Sequence, residues 1–91
     1  MSMIERVYKY SLPVGDLVSV FMPEGAEPLC VQMQRGEICL WARVSIDRPS
    51  VTHRFYIAGT GHDLGSNVGR YIGTFQLADG ALVFHVFAEK G

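Results

Sequence analysis

The order of residues predicts an all-β chain: a single small antiparallel β-sandwich or barrel of about seven short strands built from consecutive hairpins. Three observations carry that expectation. Turn residues recur every eight to twelve positions, the runs between them are rich in Val, Ile, Phe and Tyr, and no stretch repeats apolar residues at helical spacing over three turns. The ten glycines likewise argue against a long helix.

Met3 to Leu12 and Leu17 to Met22 flank Pro13-Val14-Gly15-Asp16, which predicts a first hairpin pairing Leu12 with Leu17, Tyr10 with Ser19 and Tyr8 with Phe21. Pro23 to Pro28 holds two prolines and a glycine, so it reads as a loop. Leu29 to Gln34 and Glu37 to Val44 flank Arg35-Gly36. A turn there pairs Met33 with Ile38, Val31 with Leu40 and Leu29 with Ala42 on an apolar face, and Gln32 with Cys39 and Cys30 with Trp41 on the other. In that register the two cysteines are diagonal neighbours, roughly 7 Å apart, so no disulfide is expected. Asp47 to Ser50 is a turn, and Val51 to Ala58 alternates His53, Phe55 and Ile57 against Arg54, Tyr56 and Ala58, which makes a fifth strand.

Gly59 to Gly69 contains four glycines in eleven residues and is long for a simple connection. Beyond it, Asp79-Gly80 suits a two-residue turn that requires positive φ. Centring a hairpin there pairs Leu77 with Leu82, Phe75 with Phe84, Gly73 with Val86 and Tyr71 with Ala88 on an apolar face. The opposite face pairs Ala78 with Ala81, Gln76 with Val83, Thr74 with His85, Ile72 with Phe87 and Arg70 with Glu89. Burial and turn chemistry agree on this register.

With 91 residues and no linker or repeat, residues 1–91 read as a single β domain near the size at which a core has little margin. Hydrophobic content of 48% excludes generic disorder. Charged content of only 19% suggests that some apolar surface is covered by a partner, a second copy of the chain included. Eight basic and nine acidic residues, scattered without runs, disfavour nonspecific nucleic-acid binding. No stretch is apolar enough for a signal peptide or a bilayer span, so a cytoplasmic protein away from membranes is expected.

The best candidate site is Gly59-Thr60-Gly61-His62, where glycines let backbone amides approach an anion and Thr60 and His62 add donors. Its spacing satisfies neither a P-loop nor a dinucleotide fingerprint, and a glycine-rich connection closed by His62 and Asp63 is the plainer reading. His53, His62, His85, Cys30 and Cys39 lack the short spacings of a structural zinc site, so no metal or other cofactor is expected. Cys39 or Ser66 with His62 and Asp63 makes no triad, because adjacent residues cannot orient one another, and paired carboxylates are absent. The expectation is therefore a non-enzymatic chain with no catalytic residues. Trp41, Arg43, Arg54 and Tyr56 fall on the faces opposite the apolar seams of their strands. There they serve either as an aromatic and arginine interface or, for Trp41, as a second core layer.

Six segments stand in a recognisable order: Val7-Tyr8-Lys9-Tyr10-Ser11-Leu12-Pro13, Met22-Pro23-Glu24-Gly25-Ala26, Cys39-Leu40-Trp41-Ala42, Gly59-Thr60-Gly61-His62, Tyr71-Ile72-Gly73-Thr74-Phe75-Gln76 and Gly80-Ala81-Leu82-Val83-Phe84-His85-Val86-Phe87. In that order they resemble a family of small uncharacterised proteins of tailed bacteriophages and prophages. The resemblance implies a phage origin and a bacterial cytoplasm, with no activity or catalytic residue attached. Phage accessory proteins of this size often bind, which by analogy points to a host or phage protein as partner, with inhibition of a host defence system as one outcome. The alternative is a small-ligand protein holding a phosphate or nucleotide at Gly59 to His62 with a nearby Arg.

Overall fold

The computed structural model describes residues 4–91. Its strands are β1 (Glu5–Ser11), β2 (Leu17–Pro23), β3 (Glu27–Gln34), β4 (Glu37–Ser45), β5 (Ser50–Gly59), β6 (Val68–Leu77) and β7 (Leu82–Glu89). They form two antiparallel sheets, a three-stranded β1-β4-β3 and a four-stranded β2-β5-β7-β6, packed face to face as a sandwich. The predicted all-β class and seven strands are thus observed. Among the described residues no helix is long and apolar enough to cross a membrane.

The core lies between the sheets. From the three-stranded sheet come Val31, Ile38, Leu40, Ala42 and Val44, and from the other Val18, Val20, Met22, Phe55, Ile57, Ile72, Phe75 and Val86. Alternation sends every second residue inward, so β2 reads Val18, Val20, Met22 buried against Leu17, Ser19, Phe21 exposed. β4, β5 and β7 occupy central positions, each flanked on both sides.

That placement corrects the first hairpin. β1 pairs with β4 (Tyr8 opposite Ala42, Tyr10 opposite Leu40) and β2 with β5 (Val18 opposite Phe55, Val20 opposite His53). Leu12–Leu17, Tyr10–Ser19 and Tyr8–Phe21 are not partners. Their hairpin would have put Leu17, Ser19 and Phe21 on the buried side with Tyr8 and Tyr10, leaving Val18, Val20 and Met22 in water; crossing between sheets buries the better set. Leu12 and Asp16 mark the crossing: the Leu12 amide donates to Ile38 and the Ile57 amide to Asp16. Met3, the expected start of the first strand, lies outside the described residues. The chain crosses between sheets again after β2 and after β4, so among the described residues only β3–β4 and β6–β7 are hairpins between consecutive strands.

The expected loop Pro23 to Pro28 shrinks to a turn at Glu24-Gly25, with Gly25 at φ +81° and the Ala26 amide donating to Pro23. Both prolines sit inside edge strands, where a missing N–H is tolerated. In the second hairpin Val31–Leu40, Met33–Ile38, Gln32–Cys39 and Cys30–Trp41 pair as expected, and both thiols are free. A bulge between Pro28 and Cys30 replaces the Leu29–Ala42 pair with Pro28–Ala42 and turns Leu29 outward.

The last hairpin keeps its predicted register from Leu77–Leu82 through Gly73–Val86. Asp79 and Gly80 both take positive φ, and the Ala81 amide closes the turn onto Ala78. Beyond Gly73 a bulge shifts the ladder, so Tyr71 opposes Phe87 and Val68 opposes Glu89. The expected pairs Tyr71–Ala88, Ile72–Phe87 and Arg70–Glu89 do not form. The extra residue buries Ile72 and releases the larger Tyr71 to solvent. Gly73 is needed where β6 meets β3, because a Cβ there would lie 3.0 Å from the backbone nitrogen of Val31. Arg70 donates to the Pro28 carbonyl along the same seam.

Candidate functional site

The outward sides of the two sheets differ in chemistry. On the three-stranded sheet, Glu5 pairs with Arg43 at 2.7 Å, and Lys9 of β1 donates to Gln34 of β3 at 2.7 Å. Lys9 stands opposite Trp41 and Gln34 opposite Glu37, so this bond passes over Cys39, which is buried although it points away from the core. Trp41 is half-buried between Lys9 and Cys30. It lies on an outer sheet face, outside the core between the two sheets.

The four-stranded sheet turns aromatic and apolar side chains outward. Leu17 stands beside Tyr56, Tyr56 beside Phe87 and Phe87 beside Tyr71, one from each of β2, β5, β7 and β6. The Tyr71 and Phe87 rings meet edge to face at 5.6 Å. Phe21 continues the row along β2 and is 67% exposed, against 52% for Tyr71 and 48% for Leu17.

A hydroxyl and imidazole chain borders this row. His85 Nδ1 lies 3.0 Å from Thr74 Oγ1 and Nε2 lies 2.7 Å from Thr60 Oγ1, while the Tyr71 hydroxyl reaches Thr74 Oγ1 at 2.5 Å. Thr74 as partner of His85 follows from the predicted register. Thr60 joins because its amide donates to Val83, carrying the β5–β7 ladder one step beyond Gly59. At the other end Asn67 donates to Tyr56 and to Glu89, and Glu89 faces Arg54 at 3.9 Å.

Of the sequence candidates, Gly59, Thr60, Gly61 and His62 form the turn after β5, with the His62 amide donating to Gly59 and Gly61 at φ +88°. The imidazole lies against Gly59, where an added Cβ would come within 3.3 Å of the ring. A shallow depression of about 270 Å³ beside His62 is bordered by Asp16, Tyr56, Asp63 and Leu64. Arg54 and Tyr56 occupy the outer face of β5, whereas Trp41 and Arg43 occupy the outer face of the other sheet, on the far side of the sandwich. The eight residues therefore do not converge: His62 and Tyr56 share a depression, Arg54 lies farther along β5, and Trp41 and Arg43 are separate. Among the described residues no cluster of His, Cys, Asp and Glu could hold a metal ion.

Sequence reasoning missed Leu17, Phe21, Tyr71 and Phe87. The expected first hairpin pairs Leu17 and Phe21 with β1 residues and names no outer face for them, and the unbulged register of the last hairpin sets Tyr71 on the apolar side. Gly73 was the available signal, since a glycine inside a strand pattern often marks a bulge or a close backbone approach. A family model described as "Domain of unknown function (DUF7352)" matches residues 3–91. No curated protein and no solved structure matches the chain.

Proposed function

The chain belongs to the DUF7352 family, and from the surface chemistry of this member we propose a non-enzymatic interaction module that binds a protein partner through the outer face of its four-stranded sheet. The observation that carries this reading is the aromatic and apolar row Phe21, Leu17, Tyr56, Phe87 and Tyr71, flanked by Arg54. Tyr, Phe and Arg are enriched in protein interfaces, and a row that spans four strands offers a rigid anchor surface. The resemblance of the ordered motifs supports a phage accessory protein in the bacterial cytoplasm, with a host or phage protein as partner and inhibition of a defence system as its effect.

Co-purification from phage-infected cells tests this. Wild-type protein should recover a discrete partner, and Tyr71→Ser, which removes an exposed ring, should lose it while staying folded, at a cost of about 1 kcal/mol for the lost edge-to-face contact with Phe87. Recovery of nothing above background, or equal recovery by Tyr71→Ser, rejects the reading.

The second reading is a phosphate or nucleotide held at Gly59 to His62, supported by the depression beside His62. Asp16 and Asp63 border that depression and repel an anion, which favours the first reading. Thermal denaturation separates the two: a nucleotide at a hundred times its Kd adds about 2.7 kcal/mol, whereas a protein-binding module shows no shift with any nucleotide.

A further inference from the structure

We propose that β2 is a self-association edge: two copies pair their β2 strands antiparallel about a two-fold axis at Ser19, joining two four-stranded sheets into a continuous eight-stranded one. The argument begins with the direction of the backbone groups. The Ile57 amide donates to Asp16 and the Glu24 amide to Pro49, one pair at each end of the β2–β5 ladder. Bonded pairs alternate along an antiparallel ladder, so Val18, Val20 and Met22 bond to β5, while the N–H and C=O groups of Leu17, Ser19 and Phe21 point off the sheet. Among the described residues β2 pairs with β5 alone.

The free edges of the fold are not equivalent. β3 and β6 lie against each other at Val31 and Gly73. β1 carries Glu5, Arg6 and Lys9, charges of the kind that protect an edge from pairing. Residues 17–21 of β2 carry no charge, bulge or proline. Pro23 fixes the register, because its missing N–H would fall on the same outward side and end the ladder.

A two-fold axis at Ser19 uses all three outward residues and avoids Pro23. It sets Ser19 opposite the partner's Ser19 and Leu17 opposite the partner's Phe21. Each pair can exchange both backbone bonds, and the most exposed side chain of the aromatic row gains an apolar partner on each side of the axis. No like charges meet across it. Moving the axis to Val20 sets Leu17 against the partner's Pro23, and moving it to Phe21 sets Ser19 against Pro23, losing a donor either way. Five residues a side bury far less than the roughly 1,600 Å² of a stable interface, so the dimer should form and dissociate with concentration. This inference does not depend on the partner-binding reading above.

Sedimentation equilibrium on the full chain, from about 5 to about 500 µM, where weak association is resolved, provides the test. The weight-average mass should rise from 10.1 kDa towards twice that value. Ser19→Lys sets like charges across the axis and should stay near 10.1 kDa throughout, as should Ser19→Glu. Their equimolar mixture should associate at least as well as wild type. Ser19 is exposed and its amide is unused within the chain, and it stands opposite Arg54, so Ser19→Lys should lower the melting temperature slightly, Ser19→Glu should not, and both should stay folded at the temperature of the measurement. A wild-type mass that stays at the monomer value, Ser19→Lys associating like wild type, or a mixture that stays monomeric overturns the proposal.

Discussion

Single residues on this sandwich are decided by which face they meet. Phe84 stacks on buried Phe75 with ring centroids 5.4 Å apart, while His85, one residue on, faces outward between Thr60 and Thr74. Phe84→Ala should therefore cost about 3 kcal/mol, the lower end for a phenylalanine because the ring is only partly buried. His85→Ala should cost under about 1 kcal/mol, since both lost partners are hydroxyls that water can reach. Thermal denaturation of both variants gives the ranking. Gly73→Ala should destabilise by about 1–3 kcal/mol, because the added methyl meets the Val31 backbone and not a side chain that can move aside. Ala78 occupies φ +52°, a left-handed conformation that a Cβ disfavours, and Ala78→Gly should raise stability by up to about 1 kcal/mol.

The strands behave as units whose outward and inward amides are distinguishable. In β2 the amides of Val18, Val20 and Met22 bond to β5 and those of Leu17, Ser19 and Phe21 do not. Hydrogen exchange in dilute solution should accordingly alternate along β2, slow at even positions and fast at odd ones. A uniformly slow or uniformly fast strand would contradict that pairing. The two correct hairpins share a property that the false one lacks. Arg35-Gly36 is a two-residue turn with both φ values positive, and the connection Ala78 to Ala81 takes positive φ at Ala78, Asp79 and Gly80, so turn and strand twist agree locally. Pro13 to Asp16 has four residues and imposes no such twist, and there the apolar demand of the core chose the partners instead.

For the molecule as a whole, burial divides the two thiols. Cys39 lies on the central strand beneath the Lys9–Gln34 bond, and Cys30 is half-exposed on an edge strand. A thiol reagent should therefore modify one cysteine rapidly in the native protein, and the second only at the rate of opening of the three-stranded sheet. Strand number, the alternation within strands away from the bulges of β3 and β6, and the two tight hairpins were legible in the sequence, because period-two burial and positive-φ turns are local properties. The membership of the sheets was not, since β1 and β2 are compatible with each other and with β4 and β5. Only the shared core, which buries Val18, Val20 and Met22 against the opposing sheet, separates these pairings. The site followed the same division. His62 and its glycines were visible as a motif, and His85–Thr74 as a register. The row Phe21, Leu17, Tyr56, Phe87 and Tyr71 exists only once four strands from separate parts of the chain lie side by side and the bulge at Ile72 has turned Tyr71 outward. The sequence by itself determined which residues alternate; tertiary structure decided which of the two alternating sets faces water, because that depends on the sheet packed against it.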